Sequence, residues 1–504
     1  RFGSTSKGGT ICLVGNNVTV ENSTFTLGAV YANVTEKAKE NETWGGAMFV
    51  TGNSTIIKNC TFTNCYAQED GGALYVIGDD CKLYNSTFTL NKVGDDGGAI
   101  YWKGEKGYIY NITCRINNAI GRGNSTSKGG AVALVGNLTV LTKSKFEMNS
   151  AIVDGGAIYA TGNFVNITES TFLRNNVSFG DDGKNIFGGG AIFVLGNFSN
   201  IINCSFDMVH GKKGGVIYIQ GNNVTINNVT SKRSYATEGG AIYIQGDNAT
   251  ILKSNIALSN STTSSGGAIY IQGNYASVIN STFDKSYAKS GNKYVAANKG
   301  GVIYIKGNYA KIEGSEFENS GANTGGSIYI EGDNCNIINS SVKGAYAAGD
   351  GGAVYATGSD SKVYDSNFTN NVAKNGGSIY WYGGTNSKRN VVVGCIFINN
   401  TAKPAGGTST YGGGAIYWSQ NGAYGQVRDS KFYNNSVQST GKADGGAILW
   451  DMSSHGVIDN CIFDGNYITS TNCGPNKDLW IQGGAVFLRA KNNYTISNCE
   501  FKNS

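Results

Sequence analysis

The sequence predicts an all-β fold: a single-stranded, right-handed parallel β-helix (a solenoid) of about 17 coils, each of three short strands. Three observations predict it. A Gly-Gly pair followed by a small residue, an aliphatic and an aromatic recurs 17 times, from Gly8-Gly9 to Gly483-Gly484. A second landmark of the form Asn-Ser/Cys-x-Phe follows, as in Asn22-Ser23-Thr24-Phe25 and Asn280-Ser281-Thr282-Phe283. The step from the second Gly to the Phe position is 16 residues in each of the first 13 copies, then 20, 18, 17 and 17. From the Phe position to the second Gly of the next pair it ranges from 9 to 21. One half of each unit is therefore rigid and the other tolerates insertion.

The elements follow in order. Nine of the 16 repeat intervals are 25 to 27 residues, room for three strands and three turns, and no segment reads as an amphipathic helix. Stacked units let each strand pair in parallel with its copy one coil on, so residues 1–504 read as one continuous repeat domain. In Gly-Gly-Ala-Ile-Tyr-Ile-Gln, alternation sends the two aliphatics one way and Ala, Tyr and Gln the other. The aliphatic columns, such as Ile242 with Ile244 and Ile303 with Ile305, are assigned to the core, and the Tyr column to the outer surface. In the next landmark the Ser/Cys and Phe columns point inward; Phe fills 13 of 17 positions and Ser or Cys fills 15. Trp381, Trp418 and Trp450 fall in an inward column and read as core. Cys60, Cys204, Cys395, Cys461 and Cys499 take the Ser position, as buried thiols acting as small apolar groups. Cys461 and Cys499 fall on successive coils, where one disulfide could form.

Composition excludes several functions. Charged residues are 15% of the chain and the net charge is +5, with no Lys/Arg run, so no nucleic-acid partner is expected. No stretch of 18 apolar residues occurs, so no span of a membrane is expected in this segment. Eleven cysteines without a CxxC pair argue against zinc. Asn, Ser, Thr and Tyr carry the polarity, which suits an extracellular β-rich surface. Both ends interrupt the repeat without a visible cap. The chain is expected to be part of a longer one with more coils, or else to self-associate head to tail.

The Gly-Gly-Ala-Ile and Phe-x-x-Asn pair resembles the repeats of chlamydial polymorphic outer-membrane proteins. Phe88-Thr89-Leu90-Asn91, Phe172-Leu173-Arg174-Asn175 and Phe368-Thr369-Asn370-Asn371 carry the second motif. The Tyr-, Asn- and Gly-rich character is also similar to adhesin-like β-helix proteins of methanogenic archaea, whose setting is an archaeal cell surface. Both resemblances, over all 17 units, imply display at the cell surface and adhesion. No autotransporter-barrel pattern is read within residues 1–504, and Ser231 and Val342 stand in the Phe column, departing from the chlamydial motif.

Four sets of residues are candidates for a site. Tyr218, Tyr243, Tyr270, Tyr304 and Tyr329 form an unbroken outward aromatic ladder, read as strand-stabilising packing in preference to a sugar platform. Asp70 and Asp96 stand before Gly-Gly on successive coils. They are a weak calcium candidate against an Asx-type turn, and Lys128, Lys213 and Lys299 in the same column argue against one metal ladder. Asn33, Asn41, Asn124, Asn176, Asn260, Asn399 and Asn434 are glycosylation sequons in the variable segment. Others, such as Asn22, Asn59 and Asn85, sit where an Asn ladder in a tight turn is the rival explanation. His210 and His455 lie many coils apart and read as bystanders.

The expectation is a non-enzymatic cell-surface protein, with no catalytic residue and no cofactor. It would present a loop-bearing edge to host or neighbouring-cell glycans or proteins. The alternatives are a wall or filament component and a polysaccharide lyase or hydrolase. The lyases share the architecture, but the outward Tyr column offers no converging carboxylates.

Overall fold

The structure, a computed structural model, describes residues 5–31, 42–121, 126–178, 188–382, 389–404, 411–419, 424–471 and 481–504. Its contacts group into two units, Arg1–Thr250 and Ile251–Ser504. Among the described residues every regular element is a β-strand, and the strands of each unit wind into the coils of a right-handed parallel β-helix.

One coil of the first unit shows the pattern. Its strands are Ile217–Ile219, Thr225–Asn227, Thr230–Lys232 and Tyr235–Ala236. The first pairs in parallel with the preceding coil as Ile192↔Ile217, Phe193↔Tyr218 and Val194↔Ile219. The second unit repeats it with Ile269–Ile271, Ser277–Ile279, Thr282–Asp284 and Tyr287–Ala288. The three anticipated strands are present, and a fourth of two residues joins them in most coils. In the first unit its copies include Tyr66–Ala67, Lys92–Val93, Asn118–Ala119 and Ser150–Ala151, with Ala67, Val93, Ala119 and Ala151 as a buried seam. Two residues are too short to show an alternating pattern in sequence.

The corners account for the composition. In the coil at Ile217, the turning residues Gly214, Asn223, Asn228 and Arg233 have φ of 58°, 56°, 51° and 55°. Glycine and asparagine tolerate this left-handed region at least cost, which is why both are abundant. The Gly-Gly pair has two separate reasons. The first glycine takes the left-handed turn. The second lies against the next coil: a Cβ on Gly46 would stand 2.1 Å from the Gly72 carbonyl oxygen.

Inside, the anticipated columns are buried. Phe62 and Phe88 stack at 4.7 Å, and Phe397 and Phe432 at 4.8 Å. The serine column ties coils together: Ser144 Oγ donates to the Thr142 carbonyl at 2.9 Å and accepts from the Ile112 amide at 3.2 Å. Cys60, Cys204, Cys395 and Cys461 take that place as buried free thiols, and Cys499 is free and half-buried. Trp381, Trp418 and Trp450 are core, with Trp418 on Trp450 at 4.3 Å.

A buried asparagine ladder explains the Phe-x-x-Asn motif. Asn91 Nδ2 donates to Asn117 Oδ1 at 2.9 Å, Asn117 to Asn149 at 3.0 Å and Asn149 to Asn175 at 3.0 Å. Asn371, Asn400, Asn435 and Asn466 repeat it in the second unit. Each amide also reaches back to a carbonyl of the preceding coil, as Asn117 Nδ2 does to Phe88 O at 3.0 Å. Buried amides are retained only when their hydrogen bonds are made, and here they are.

Candidate functional site

The Tyr column points away from the aliphatic core as expected, but it is not an open platform. Tyr218, Tyr243, Tyr304 and Tyr329 are buried, at 2%, 3%, 6% and 5% exposure, and Tyr270 is half-buried. Strand parity gives a side chain's direction and not its exposure. Neighbouring rings about one coil apart cover each other's faces: Tyr218 and Tyr243 stack at 5.0 Å, Tyr304 and Tyr329 at 5.4 Å. The flanking columns cover the edges. Lys213 Nζ lies over the Tyr243 ring at 5.0 Å and Lys299 Nζ over Tyr329 at 4.8 Å, while Tyr218 Oη donates to Gln245 Oε1 at 2.6 Å. Four of the five ladder rings are thus buried within the stack.

The acidic column before Gly-Gly caps the next coil instead of its own turn. Asp70 Oδ1 accepts the Asp96 amide at 3.2 Å, and Asp96 Oδ1 accepts the Lys128 amide at 2.8 Å. Burial, with the charge of Asp95 next, pushes the Asp70 carboxyl up to about 7. Burial, then Asp95 and Asp70, pushes Asp96 up to about 8. No group of three or more metal-ligating side chains converges among the described residues, so the calcium candidate at Asp70 and Asp96 gains no geometric support.

The sequons separate. Asn33, Asn41 and Asn124 lie outside the described residues. Asn399 and Asn434 are exposed at left-handed corners, with φ of 54° and 52°. Asn176 and Asn260 stand in the short fourth strand, not in loops, and are half-buried; Asn260 Oδ1 is buried without a partner. The Asn22 column is an amide ladder at a corner: Asn59 Nδ2 donates to Asn22 Oδ1 at 3.1 Å and Asn111 to Asn85 at 2.9 Å. His210 stacks on Tyr235 at 3.6 Å and His455 on Tyr424 at 4.7 Å.

An aromatic cleft lies on the outward face of the second strands Lys82–Tyr84 and Tyr108–Tyr110 of two successive coils. The strands pair as Lys82↔Tyr108 and Tyr84↔Tyr110. Lys82, Tyr84, Asn85, Tyr108 and Tyr110 line a cleft of about 530 Å³. Sequence reasoning passed over it because it followed the inward columns of this strand. The available signal was three tyrosines on one face where other coils place Thr19, Asn166 or Thr225.

The fold and these columns define a parallel β-helix repeat protein. More particularly, residues 394–417 match the Chlamydia polymorphic membrane protein repeat, a stretch running from the Phe397-x-x-Asn400 ladder into Gly413-Gly414-Ala415-Ile416. No curated protein matches the chain. Among solved structures it is similar to a PL6 alginate lyase in complex with a trisaccharide, at 12% identity and TM-score 0.33, covering 84% of this chain and 80% of that one. It is also similar to the PL6 family alginate lyase AlyGC, at 10% identity and TM-score 0.32, covering 90% and 77%. Likenesses this remote carry no argument about activity.

Proposed function

We propose that this chain is a cell-surface, adhesin-like repeat protein that attaches to glycans or proteins and performs no catalysis. The observation that supports it most is the polymorphic membrane protein repeat at residues 394–417, whose two motifs recur along the chain. The chemistry agrees. The carboxylates of Asp70 and Asp96 are engaged as caps on neighbouring coils, and four of the five ladder tyrosines are buried. Polar ladders at the corners leave hydrogen-bonding amides on the outside, as at Asn22, Asn59 and Asn85, a surface suited to contact with carbohydrate-rich partners. Of the described sequons in the variable segment, Asn399 and Asn434 are the exposed ones and are the expected glycan acceptors there.

The test is direct. Antibodies to the chain should label intact source cells, and beads coated with the purified chain should adhere to cell-surface material. Absence of surface labelling, or release of unsaturated oligosaccharides from acidic polysaccharides by the purified chain, overturns the reading.

A further inference from the structure

We propose that the cleft at Lys82–Tyr84 and Tyr108–Tyr110 binds a chain of pyranose sugars bearing carboxylate or sulfate groups. This inference rests on the surface-attachment reading above and names the ligand class for it.

The three rings are not packed as the ladder tyrosines are. Tyr108 and Tyr110 lie parallel with centroids 6.2 Å apart. Tyr84 leans across both, at 5.8 Å and 53° to Tyr108 and at 6.3 Å and 59° to Tyr110. The ladder pair Tyr75 and Tyr101, by contrast, stacks at 4.8 Å and 8°. The three therefore make an angled trough, and each ring is half-exposed. Its volume of about 530 Å³ falls within the range of ligand clefts, roughly 300–1,000 Å³.

The surrounding groups select among flat ligands. Lys82 and Lys143 flank the trough, both exposed, and Lys143 Nζ stands 5.6 Å from the Tyr110 centroid. Neither makes an ion pair among the described residues, whereas Lys58 nearby is paired with Glu21 at 2.6 Å. Asn85 belongs to the corner ladder, donating to Asn59 and accepting from Asn111, which leaves one N–H and one lone pair for a ligand. A pyranose presents an apolar C–H face to an aromatic ring and hydroxyls at its rim. The phenol groups and Asn85 match the hydroxyls, and the two ammonium groups match an anionic substituent. A single-stranded nucleic acid would also use the ring faces, but its backbone calls for a track of cations, and here two lysines flank one trough.

The experiment uses the full chain and calorimetry with four probes: tetragalacturonate, a heparin-derived tetrasaccharide, cellotetraose and a ten-residue oligothymidylate. At least one anionic sugar should bind about tenfold or more tighter than cellotetraose, and more weakly as salt rises. Binding of tetragalacturonate assigns carboxylate, and binding of the heparin fragment without tetragalacturonate assigns sulfate. Tyr84→Ala and Tyr110→Ala should each weaken binding about tenfold. Lys82→Gln, an exposed change that leaves the coil intact, should weaken it about threefold and flatten its salt dependence. Tyr364→Ala, on another coil, should change nothing.

Equal binding of cellotetraose, tighter binding of the oligothymidylate, no binding of either anionic sugar, or full binding by Lys82→Gln each overturns the site. Cell attachment separates this site from the adhesive role. If the wild-type chain and the Tyr84→Ala chain attach equally, this site is wrong and the adhesive reading stands.

Discussion

Two stretches of the second unit fill the same inward position, three residues after the Phe column, in different ways. At Asn371, Asn400, Asn435 and Asn466 each step between coils carries several side-chain bonds. Asn371 N and Nδ2 both donate to Asn400 Oδ1, at 3.0 and 3.1 Å, and Asn400 Nδ2 donates to Phe368 O at 3.0 Å. At Ser259, Ser286 and Ser320 the hydroxyls make no such chain. Ser259 donates to Ala257 O at 3.5 Å, Ser320 meets Ser327 at 2.6 Å, and Ser286 Oγ is buried without a partner. A carboxamide carries its donor and acceptor on separate atoms beyond Cβ, so it spans one coil spacing while answering the backbone as well. A hydroxyl carries both on one atom next to Cβ, and that of Ser286 reaches neither neighbour. Burial and backbone pairing are the same in both stretches; what differs is whether the side chains also couple adjacent coils.

The largest expected effect comes from breaking the coupled stretch. Asn400→Ala takes the acceptor from the Asn371 backbone N–H, one of the acceptors from the Asn371 side-chain amide and the side-chain donor from the Phe368 carbonyl, and should cost about 3–5 kcal/mol. Because each coil contacts only its neighbours, the loss should appear as faster amide hydrogen exchange in the coils of Phe368, Phe397 and Phe432, with distant coils unchanged. Uniform acceleration along the chain would show that the ladder is not the local tie described here.

A second change carries the comparison to the outward acidic column, where Asp96 of the first unit and Asn375 of the second hold equivalent places. The carboxyl of Asp96 is raised to about 8, well above its ordinary value. The folded state therefore holds a proton that the unfolded chain has already released, and stability falls as pH rises from near 4 through 8. Asp96→Asn keeps the acceptor for the Lys128 amide and removes the charge. It should raise stability at pH 8 by about 1 kcal/mol and have little effect at pH 4, read by thermal melts at the two values. Greater stabilisation at pH 4 than at pH 8 would reverse the assigned sign.

The smallest effect belongs to the uncoupled stretch. Ser286→Ala removes a buried hydroxyl that has no partner, and should leave local exchange unchanged or slow it by up to about 1 kcal/mol of protection. A cost comparable to that of Asn400→Ala would erase the distinction between the two stretches.

Much of this architecture was legible before any coordinates. The constant 16-residue step fixed which residues stack, and Phe283, Ser281 and Ile269 are buried where alternation placed them. Other features were hidden for physical reasons. Asn91 and Asn371 belong to a recognisable motif, but a polar residue in a turn gives no sign that it faces inward until its ladder partners are in place. Tyr218 and Tyr329 were assigned the correct direction and the wrong exposure, because their cover comes from rings a coil away and, at Tyr329, from the Lys299 ammonium. Asn176 and Asn260 were placed in loops because a two-residue strand has no period to detect. Tyr84, Tyr108 and Tyr110 become a cleft only when Lys82↔Tyr108 pairing brings them onto one face.

The insertions leave the register untouched: Ile379 pairs with Ile416 across 37 residues, as Val354 pairs with Ile379 across 25. That has a genetic meaning. A stretch of gene running from one Gly-Gly to the next encodes a part that begins and ends at the same corner. Unequal crossing-over between two such stretches adds or removes a whole coil, and every surviving column meets a partner of its own kind. A point change at Asn400 or Gly46 disturbs the stack where it falls, whereas a whole-coil or loop exchange leaves each column facing its own kind, without the stacked interior having to be solved anew.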